Sequence, residues 1–224
     1  QPDDLDRVLG RLVAGRVDFG DLYFQHRQTE TWSLEDGIVK AGGFHIDQGV
    51  GVRAVVGTGS GFAYADAINL PALLEAAGSA RSIARSGDAG QLPVARSVDA
   101  PALYSPDNPI EARASADKVD LLRTIDAYAR SLDSRITQVN VSLACQHESV
   151  LIAASDGTRA GDVRPLVRLD VRVIAEEGDR RESGNAGGGG RYALEELMQP
   201  EAWQELAGEA VRVATLTLAA EDAR

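Results

Sequence analysis

Alternating hydrophobic and polar residues predict an antiparallel β-meander near the start of the chain. Tyr23–Leu34 alternates with a period of two, as a half-buried strand does. The dipeptide Asp36-Gly37 follows, and its backbone tolerates the positive φ angles that a tight hairpin requires. Gly49–Val56 is a second and more apolar run, after which the glycines of Gly57–Gly61 turn the chain into a third strand.

Apolar residues at helical spacing predict four amphipathic helices around two groups of strands. The helices are predicted in Leu5–Leu12, Asn69–Ser86, Val119–Leu132 and Glu201–Leu218. The second group of strands is predicted in Ile136–Leu143, Ser149–Ala154 and Leu166–Ala175. Helix, three strands and helix therefore occur twice in the same order.

This repetition predicts an α+β fold. Two similar helix–meander–helix halves, at about residues 5–86 and 115–220, would share one mixed or antiparallel sheet with the helices on one face. Residues 87–114 are rich in proline with little periodicity, and they are predicted as an irregular connector, either a lid or partner clasp or a plain link. We expect residues 1–224 to form a single α+β domain.

Composition and charge narrow the classes of partner. The formal net charge is −11 at pH 7, and excess carboxylate repels a phosphate backbone, so we expect no nucleic-acid partner. No run approaches the roughly twenty apolar residues that cross a bilayer, so we expect no membrane partner. Cys145 is the single cysteine. It is predicted as a small buried residue rather than a nucleophile, which favours a cytoplasmic protein.

One short motif imitates a metal site. His147-Glu148 begins like the His-Glu pair of a helical metal site, but Leu151 and Ile152 occupy the positions where a second histidine would fall. The surrounding residues alternate like a strand, which lacks the face geometry of a helix. We therefore predict no metal ligand and no catalytic residue in this chain, and interpret the pair as ordinary surface residues on a strand.

Six short sequence segments lie in order along nearly the whole chain. They are DLYFQ at Asp21–Gln25, LEDGIVK at Leu34–Lys40, IDQGVGVRAV at Ile46–Val55, GFAYAD at Gly61–Asp66, LVRLDVRVIAEEGDRRESG at Leu166–Gly184 and AGGGGRY at Ala186–Tyr192. In this combination they resemble the N-terminal region of the TldD/PmbA family of bacterial metallopeptidases, most closely the TldD subunit.

The resemblance implies the N-terminal domain of a zinc-dependent peptidase. The family's His-Glu-x-x-x-His segment lies beyond the region that this chain resembles, so the zinc and the catalytic C-terminal domain would lie outside it. The chain itself would hold no cofactor and would be inactive alone. The resemblance further implies a cytoplasmic enzyme that pairs with a PmbA/TldE-like subunit and cleaves unfolded or modified peptides. This chain would supply structural support, a substrate channel and subunit contacts.

Eight residues are candidates for contact with substrate or a partner. In the family context the glycine run is predicted as a flexible loop near the peptide path or the catalytic half, with a mobile connector as the alternative. Three arginines recur every four residues, on one face of a strand. They would bind partner carboxylates or a peptide C-terminus, or else keep an exposed face soluble. The set is Gly187, Gly188, Gly189, Gly190, Arg191, Arg164, Arg168 and Arg172.

A function of another class stays open beside this one. The chain could be complete and act as a stand-alone, non-catalytic peptide-binding or scaffold module. Gln1 in place of methionine, and a last helix without a stop signal before Arg224, instead suggest that both ends are cut. A coding sequence that continues into a His-Glu-x-x-x-His helix would favour the peptidase, and a stop codon would favour the module.

Overall fold

The computed structural model describes residues 2–84 and 103–220. Most of the predicted connector, and the choice between a lid and a plain link, lies outside the described residues. The elements are α1 (Pro2–Leu12), β1 (Phe19–Glu35), β2 (Ile38–Val56), β3 (Gly59–Ala65), α2 (Leu70–Ala84), α3 (Ser115–Leu132), β4 (Ile136–Ala154), β5 (Arg159–Glu177), β6 (Arg180–Gly190), α4 (Leu194–Met198) and α5 (Pro200–Ala219).

The six described strands form one sheet in the order β3-β2-β1-β4-β5-β6. Antiparallel pairing joins β2 to β3 over Val50–Val56 and β5 to β6 over Val167–Glu177. Helix, three strands and helix occur twice, with the short α4 added before α5. The predicted α+β fold of two similar halves sharing a sheet is therefore confirmed, and the sheet is antiparallel.

Turn residues explain where the strands end. Asp36 and Gly37 connect β1 to β2 with φ angles of 51° and 74°, which confirms the predicted hairpin. Gly178 supplies a φ of 60° between β5 and β6. Beside that turn, the Glu176 carboxylate lies 3.1 Å from the Arg181 guanidinium, so opposite charges face each other across the strand pair.

One side of β2 is only partly covered. The pairing with β3 reaches no further than Val50, so within the described residues the outer edge of the strand from Ile38 to Gly49 has no neighbouring strand. Side chains along this stretch are exposed, including Ile38 at 61% and Phe44 at 58%. Among the described residues, this part of β2 is therefore an edge of the sheet.

The described residues divide into two compact units. The first lies within Gln1–Arg27, Ile46–Leu103 and Glu148–Val163, and the second lies within Gln28–His45, Tyr104–His147 and Arg164–Arg224. These units differ from the two halves of the sequence, because β1, β2, β4 and β5 each contribute residues to both units.

The core of the first unit joins α1 and α2 to the strands. Its buried side chains are mainly valine, leucine and alanine, among them Val8, Leu12, Val52, Ala77 and Ala80. A Cβ atom added to Gly61 of β3 would lie 2.1 Å from the carbonyl oxygen of Ala80. Small residues therefore let α2 pack directly on the backbone of β3.

The core of the second unit is larger and contains both tryptophan side chains. Alternate residues of β4 and β5, such as Val141 and Val171, pack against α3 and α5. The Tyr128 and Trp203 rings meet edge to face, with their centroids 5.4 Å apart. This is a favoured geometry for aromatic pairs.

A buried ion pair lies inside the second unit. The Lys118 side chain in α3 is only 1% exposed and pairs with Glu30 of β1. Its ammonium group also donates a hydrogen bond of 2.6 Å to the carbonyl oxygen of Ile110. Because a buried charge needs compensating partners, this pair fixes both α3 and the residues before it. The apolar stripe predicted for α3 gave no sign of it.

Candidate functional site

The glycine run is part of a strand, so the predicted flexible loop or mobile connector is wrong. Gly187–Gly190 form the end of β6 and pair in register with Val167–Asp170 of β5. The prediction failed because glycine has a low intrinsic strand preference, which the pairing with β5 overrides here.

Close contacts explain why this end of β6 carries glycine. A Cβ atom on Gly187 would lie 2.0 Å from the Asp170 carboxylate, and one on Gly189 would lie 2.1 Å from the Val167 carbonyl oxygen. Gly188 faces α5, where its Cβ would come within 3.3 Å of the Leu206 side chain. The glycines thus admit neighbouring groups close to the backbone of β6.

The predicted arginines lie on one strand, as expected, but differ in their partners. Arg164, Arg168 and Arg172 all belong to β5. Arg168 binds the Asp170 carboxylate with N–O distances of 2.8 and 2.6 Å. This hydrogen bond raises the pKa of Arg168 above its usual value. Arg168 is therefore already neutralised by its neighbour.

Arg191 is separate from the three arginines of β5. Its guanidinium lies over the Tyr104 ring, 5.4 Å from the centroid, which is a cation–π contact. Gly187 and Gly189 lie directly beside Arg168, whereas the Arg191 guanidinium contacts Tyr104. Of the eight candidate residues, only Arg172 lines the concave surface described next.

A concave surface of about 510 Å³ lies on the second unit, and we call it the polar groove. Five strands contribute to it, from β2 through β1, β4 and β5 to β6. Short hydroxyl and amide side chains dominate, with charged groups between them. Its polar members are Ser33, Glu35, Lys40, Asn140, Ser142, Asp170, Arg172, Ser183 and Asn185.

The charges in the polar groove leave one cation without a carboxylate. Asp170 is paired with Arg168, as described above. Glu35 lies 3.9 Å from the Lys40 ammonium and accepts a hydrogen bond of 2.8 Å from Gln138. For the Arg172 side chain, the described residues provide no ion pair or hydrogen bond. The groove can therefore take an anionic group at this arginine.

Asn140 adds an acceptor within the polar groove. Its Oδ1 atom is shielded from solvent and receives no hydrogen bond from the described residues. A ligand that donates an N–H group would satisfy this oxygen. The serine and asparagine members were missed in the sequence. The signal that could have found them is the polar phase of the strand alternation, read across several strands at once.

His147 and Glu148 do not form a metal site. The Nε2 atom of His147 lies 3.3 Å from the Pro106 carbonyl oxygen. Glu148 is only 4% exposed and binds Arg27 at 2.8 Å, so its interpretation as an ordinary surface residue is wrong. Across residues 2–84 and 103–220, no group of three His, Cys, Asp or Glu residues could hold a metal ion. The residues present therefore do not fit a metal centre.

Cys145 lies in the interior of the second unit. It is 1% exposed, and burial raises the pKa of its thiol to about 11. A thiol with this pKa is almost fully protonated near neutral pH and is a poor nucleophile. The structure thus agrees with its interpretation as a small apolar residue.

Among the described helices, none is long and apolar enough to span a bilayer.

Two family profiles match the chain. PmbA/TldA metallopeptidase domain 1 matches residues 20–84, and the PmbA/TldA metallopeptidase central domain matches residues 108–218. Solved structures share the fold at low identity. TldE from Thermococcus kodakarensis has a TM-score of 0.71 at 13% identity, over 95% of this chain and 47% of that chain.

A second solved structure is from Bacteroides thetaiotaomicron and was proposed to be a modulator of DNA gyrase. It has a TM-score of 0.80 at 13% identity, over 100% of this chain and 51% of that chain. Likeness at this identity concerns the fold alone.

Curated relatives are more similar in sequence. A metalloprotease TldD homologue from Haemophilus influenzae is 47% identical over 91% of this chain and 44% of the relative. One from Buchnera aphidicola subsp. Schizaphis graminum is 40% identical over 98% of this chain and 47% of the relative. The chain thus spans about half the length of the curated relatives it matches. By both profiles and these identities, the chain belongs to the PmbA/TldD family of metallopeptidases.

Proposed function

We propose that this chain is the non-catalytic, substrate-facing N-terminal domain of a TldD-like zinc metallopeptidase. Hydrolysis would take place on the part of the relatives that this chain does not span. Three findings support this proposal: the family membership, the coverage of about half of each relative, and described residues that do not fit a metal centre. Zinc would supply an activated water on that other part.

The polar groove is the observation that carries the proposal. An unfolded peptide exposes main-chain N–H and C=O groups along its whole length, and these need partners wherever water is displaced. Ser142, Ser183 and Asn185 offer hydroxyl and amide groups that can donate or accept. Such contacts recognise a backbone rather than a particular side chain, which suits an enzyme that takes unfolded or modified peptides.

Arg172 adds a contact for an anionic group of the peptide. A guanidinium binds a carboxylate through two parallel hydrogen bonds. The carboxylate would be a peptide C-terminus or an acidic side chain. Ser183 and Asn185 belong to β6, the last strand in the sheet order. No described strand pairs with the outer side of β6, so an extended peptide in the groove can also pair there.

A binding measurement tests this role. A fluorescently labelled unstructured peptide with a free C-terminus should bind the chain, with anisotropy as the readout. Arg172→Gln should weaken binding about tenfold, because it removes a charge-assisted contact. Arg212→Gln is the matched control, since Arg212 pairs with Glu209 at 2.7 Å on the surface of α5. Equal affinity of the wild type and Arg172→Gln would contradict the role of the groove.

Catalysis is tested on the same peptide. Mass spectrometry should find no cleavage by this chain, and elemental analysis should find no stoichiometric zinc after dialysis. Cleavage that a chelator inhibits would show that the catalytic centre is in this chain.

We further propose a cytoplasmic assembly with a PmbA/TldE-like subunit. Co-expression followed by size-exclusion chromatography should give a complex of the full-length relative with such a subunit.

A further inference from the structure

A second concave surface lies on the first unit. Its lining residues differ in type from those of the polar groove. It has a volume of about 310 Å³ and is formed by β1, β2 and β3. Two tyrosines, two glycines and two polar side chains define it, and we call it the tyrosine slot. These residues are Tyr23, Gln25, Arg27, Gly49, Gly51 and Tyr64.

The middle of the tyrosine slot is empty because β2 carries glycine there. Gly51 pairs with Tyr64 of the neighbouring β3. A Cβ atom added to Gly51 would meet nothing within 4 Å. The side chains beside it therefore do not fold over this glycine, and the backbone of β2 forms a bare floor.

The tyrosine slot is wide enough for one flat ring. β1, which carries Tyr23, and β3, which carries Tyr64, flank β2 on its two sides. Neighbouring strands lie about 4.8 Å apart, so the outer two are roughly 10 Å apart. A ring between two others needs about 3.5 Å on each side, or roughly 7 Å in all, so one planar group fits between the two strands that carry the tyrosines.

The walls and rim of the tyrosine slot are suited to an aromatic ligand. Tyr23 is 38% exposed and Tyr64 is 78% exposed, so both rings offer area for stacking. The rim is held in place by the buried Glu148. This carboxylate binds the guanidinium of Arg27 at 2.8 Å and also accepts a hydrogen bond from the Gln25 amide. A fixed rim lowers the entropy cost of binding.

We propose that the tyrosine slot binds a planar aromatic side chain of an extended peptide. Gly51 lies beside Tyr64 in the strand pairing, so an extended peptide that runs across this face of the sheet can place one ring over Gly51. The peptide as the source of the ring rests on the proposed function, whereas the ring specificity rests on the slot itself.

The test compares two short peptides of Ser, Gly and Lys residues, one with a central tryptophan and one with alanine in its place. We expect the tryptophan peptide to bind about tenfold more tightly, as two stacking contacts would allow. Tyr64→Leu should weaken that peptide about threefold to tenfold without affecting the alanine peptide. Binding should also shift the amide resonance of Gly51 in nuclear magnetic resonance spectra.

Gly51→Val provides the sharpest variant. The added side chain fills the slot, yet its Cβ meets nothing within 4 Å, and valine suits a strand, so folding should be preserved. It should remove the preference for tryptophan. Gly161→Val is the matched control, because a Cβ there meets only the Val150 carbonyl oxygen, at 3.9 Å, and it lies outside the slot. This control should keep the preference.

The outcomes separate the two proposals. Arg172-dependent binding of both peptides with equal affinity would overturn the tyrosine slot and leave the proposed function standing. N-acetyl-tryptophanamide serves as a free ring without a peptide. If it shifts the amide resonance of residue 51 in the wild type but not in Gly51→Val while neither peptide binds, the ring specificity holds and the peptide source is wrong. A Gly51→Val variant that retains the preference for tryptophan would overturn the slot.

Discussion

Gly184 of β6 lies against the backbone of α5 so closely that a Cβ atom on it would come within 2.0 Å of the Ala210 carbonyl oxygen. The corresponding contact in the other half joins Gly61 of β3 to Ala80 of α2, at 2.1 Å. In both halves a helix therefore packs on the terminal strand of the sheet through a position that has no side chain.

Gly184→Ala should destabilise the protein by about 1–3 kcal/mol, because the methyl group forces α5 away from β6. Gly208→Ala, within α5 itself, is the matched control. A Cβ there meets nothing within 4 Å, so alanine should raise the free energy of unfolding by about 0.5–1 kcal/mol through its helix preference. Urea denaturation measures both. A Gly184→Ala variant as stable as the wild type would show that α5 is not held this closely.

Removing one member of the buried pair should cost more than removing both. Lys118→Met leaves Glu30 buried without its partner and should lower the free energy of unfolding by about 3–5 kcal/mol. Lys118→Met combined with Glu30→Leu should recover much of that loss, because no buried charge remains. A double-mutant cycle on urea midpoints measures the coupling. If the losses of Lys118→Met and of Glu30→Leu alone add up to the loss of the double variant, the two side chains do not interact.

The buried thiol predicts a dependence of stability on alkaline pH. Burial raises the pKa of Cys145 from 9.0 to about 11, so the folded state holds this proton more tightly than the unfolded state does. The resulting stabilisation is complete below pH 9 and disappears as the pH rises towards about 11. Between these values wild-type stability should fall more steeply than that of Cys145→Ala, as measured by urea denaturation. Parallel curves would contradict the burial of this thiol.

We expect residues 1–224 to unfold as a single domain, although the described residues divide into two units. β1, β2, β4 and β5 each belong to both units, so neither unit can lose its strands while the other keeps its own. Scanning calorimetry should give one transition with equal calorimetric and van 't Hoff enthalpies. Two resolved transitions would instead assign a separate domain to each unit.

Short sequence patterns predicted the fold well where residues next to each other in the chain determine the local backbone geometry. The Asp36-Gly37 hairpin was predictable because the turn needs positive φ at both positions. The two halves followed from repeated periodicity, but the strands predicted in Ile136–Leu143 and Ser149–Ala154 are a single strand, β4, and β6 was not predicted. The glycine run was misinterpreted because its strand geometry depends on a partner, β5, that is distant in sequence from Gly187. Pairing of this kind is not visible in a single segment.

The candidate site was predicted less completely for the same reason. Arg172 was identified from its spacing along one strand, but Asn140 and Ser183 share its groove only because β4 and β6 flank β5 in the sheet. Lys118 was hidden in another way. It occupies a polar position beside an apolar stripe, and its burial depends on Glu30 of a remote strand.

The part of β2 that pairs with no described strand affects how the protein behaves at high concentration. Backbone groups of Ile38–Phe44 can pair with the same segment of another molecule and so start filaments. The charge of Lys40 disfavours such stacking of identical copies, and Gly42 with Gly43 weakens the β preference in the middle of the stretch. These three residues therefore disfavour aggregation along the part of β2 that pairs with no described strand.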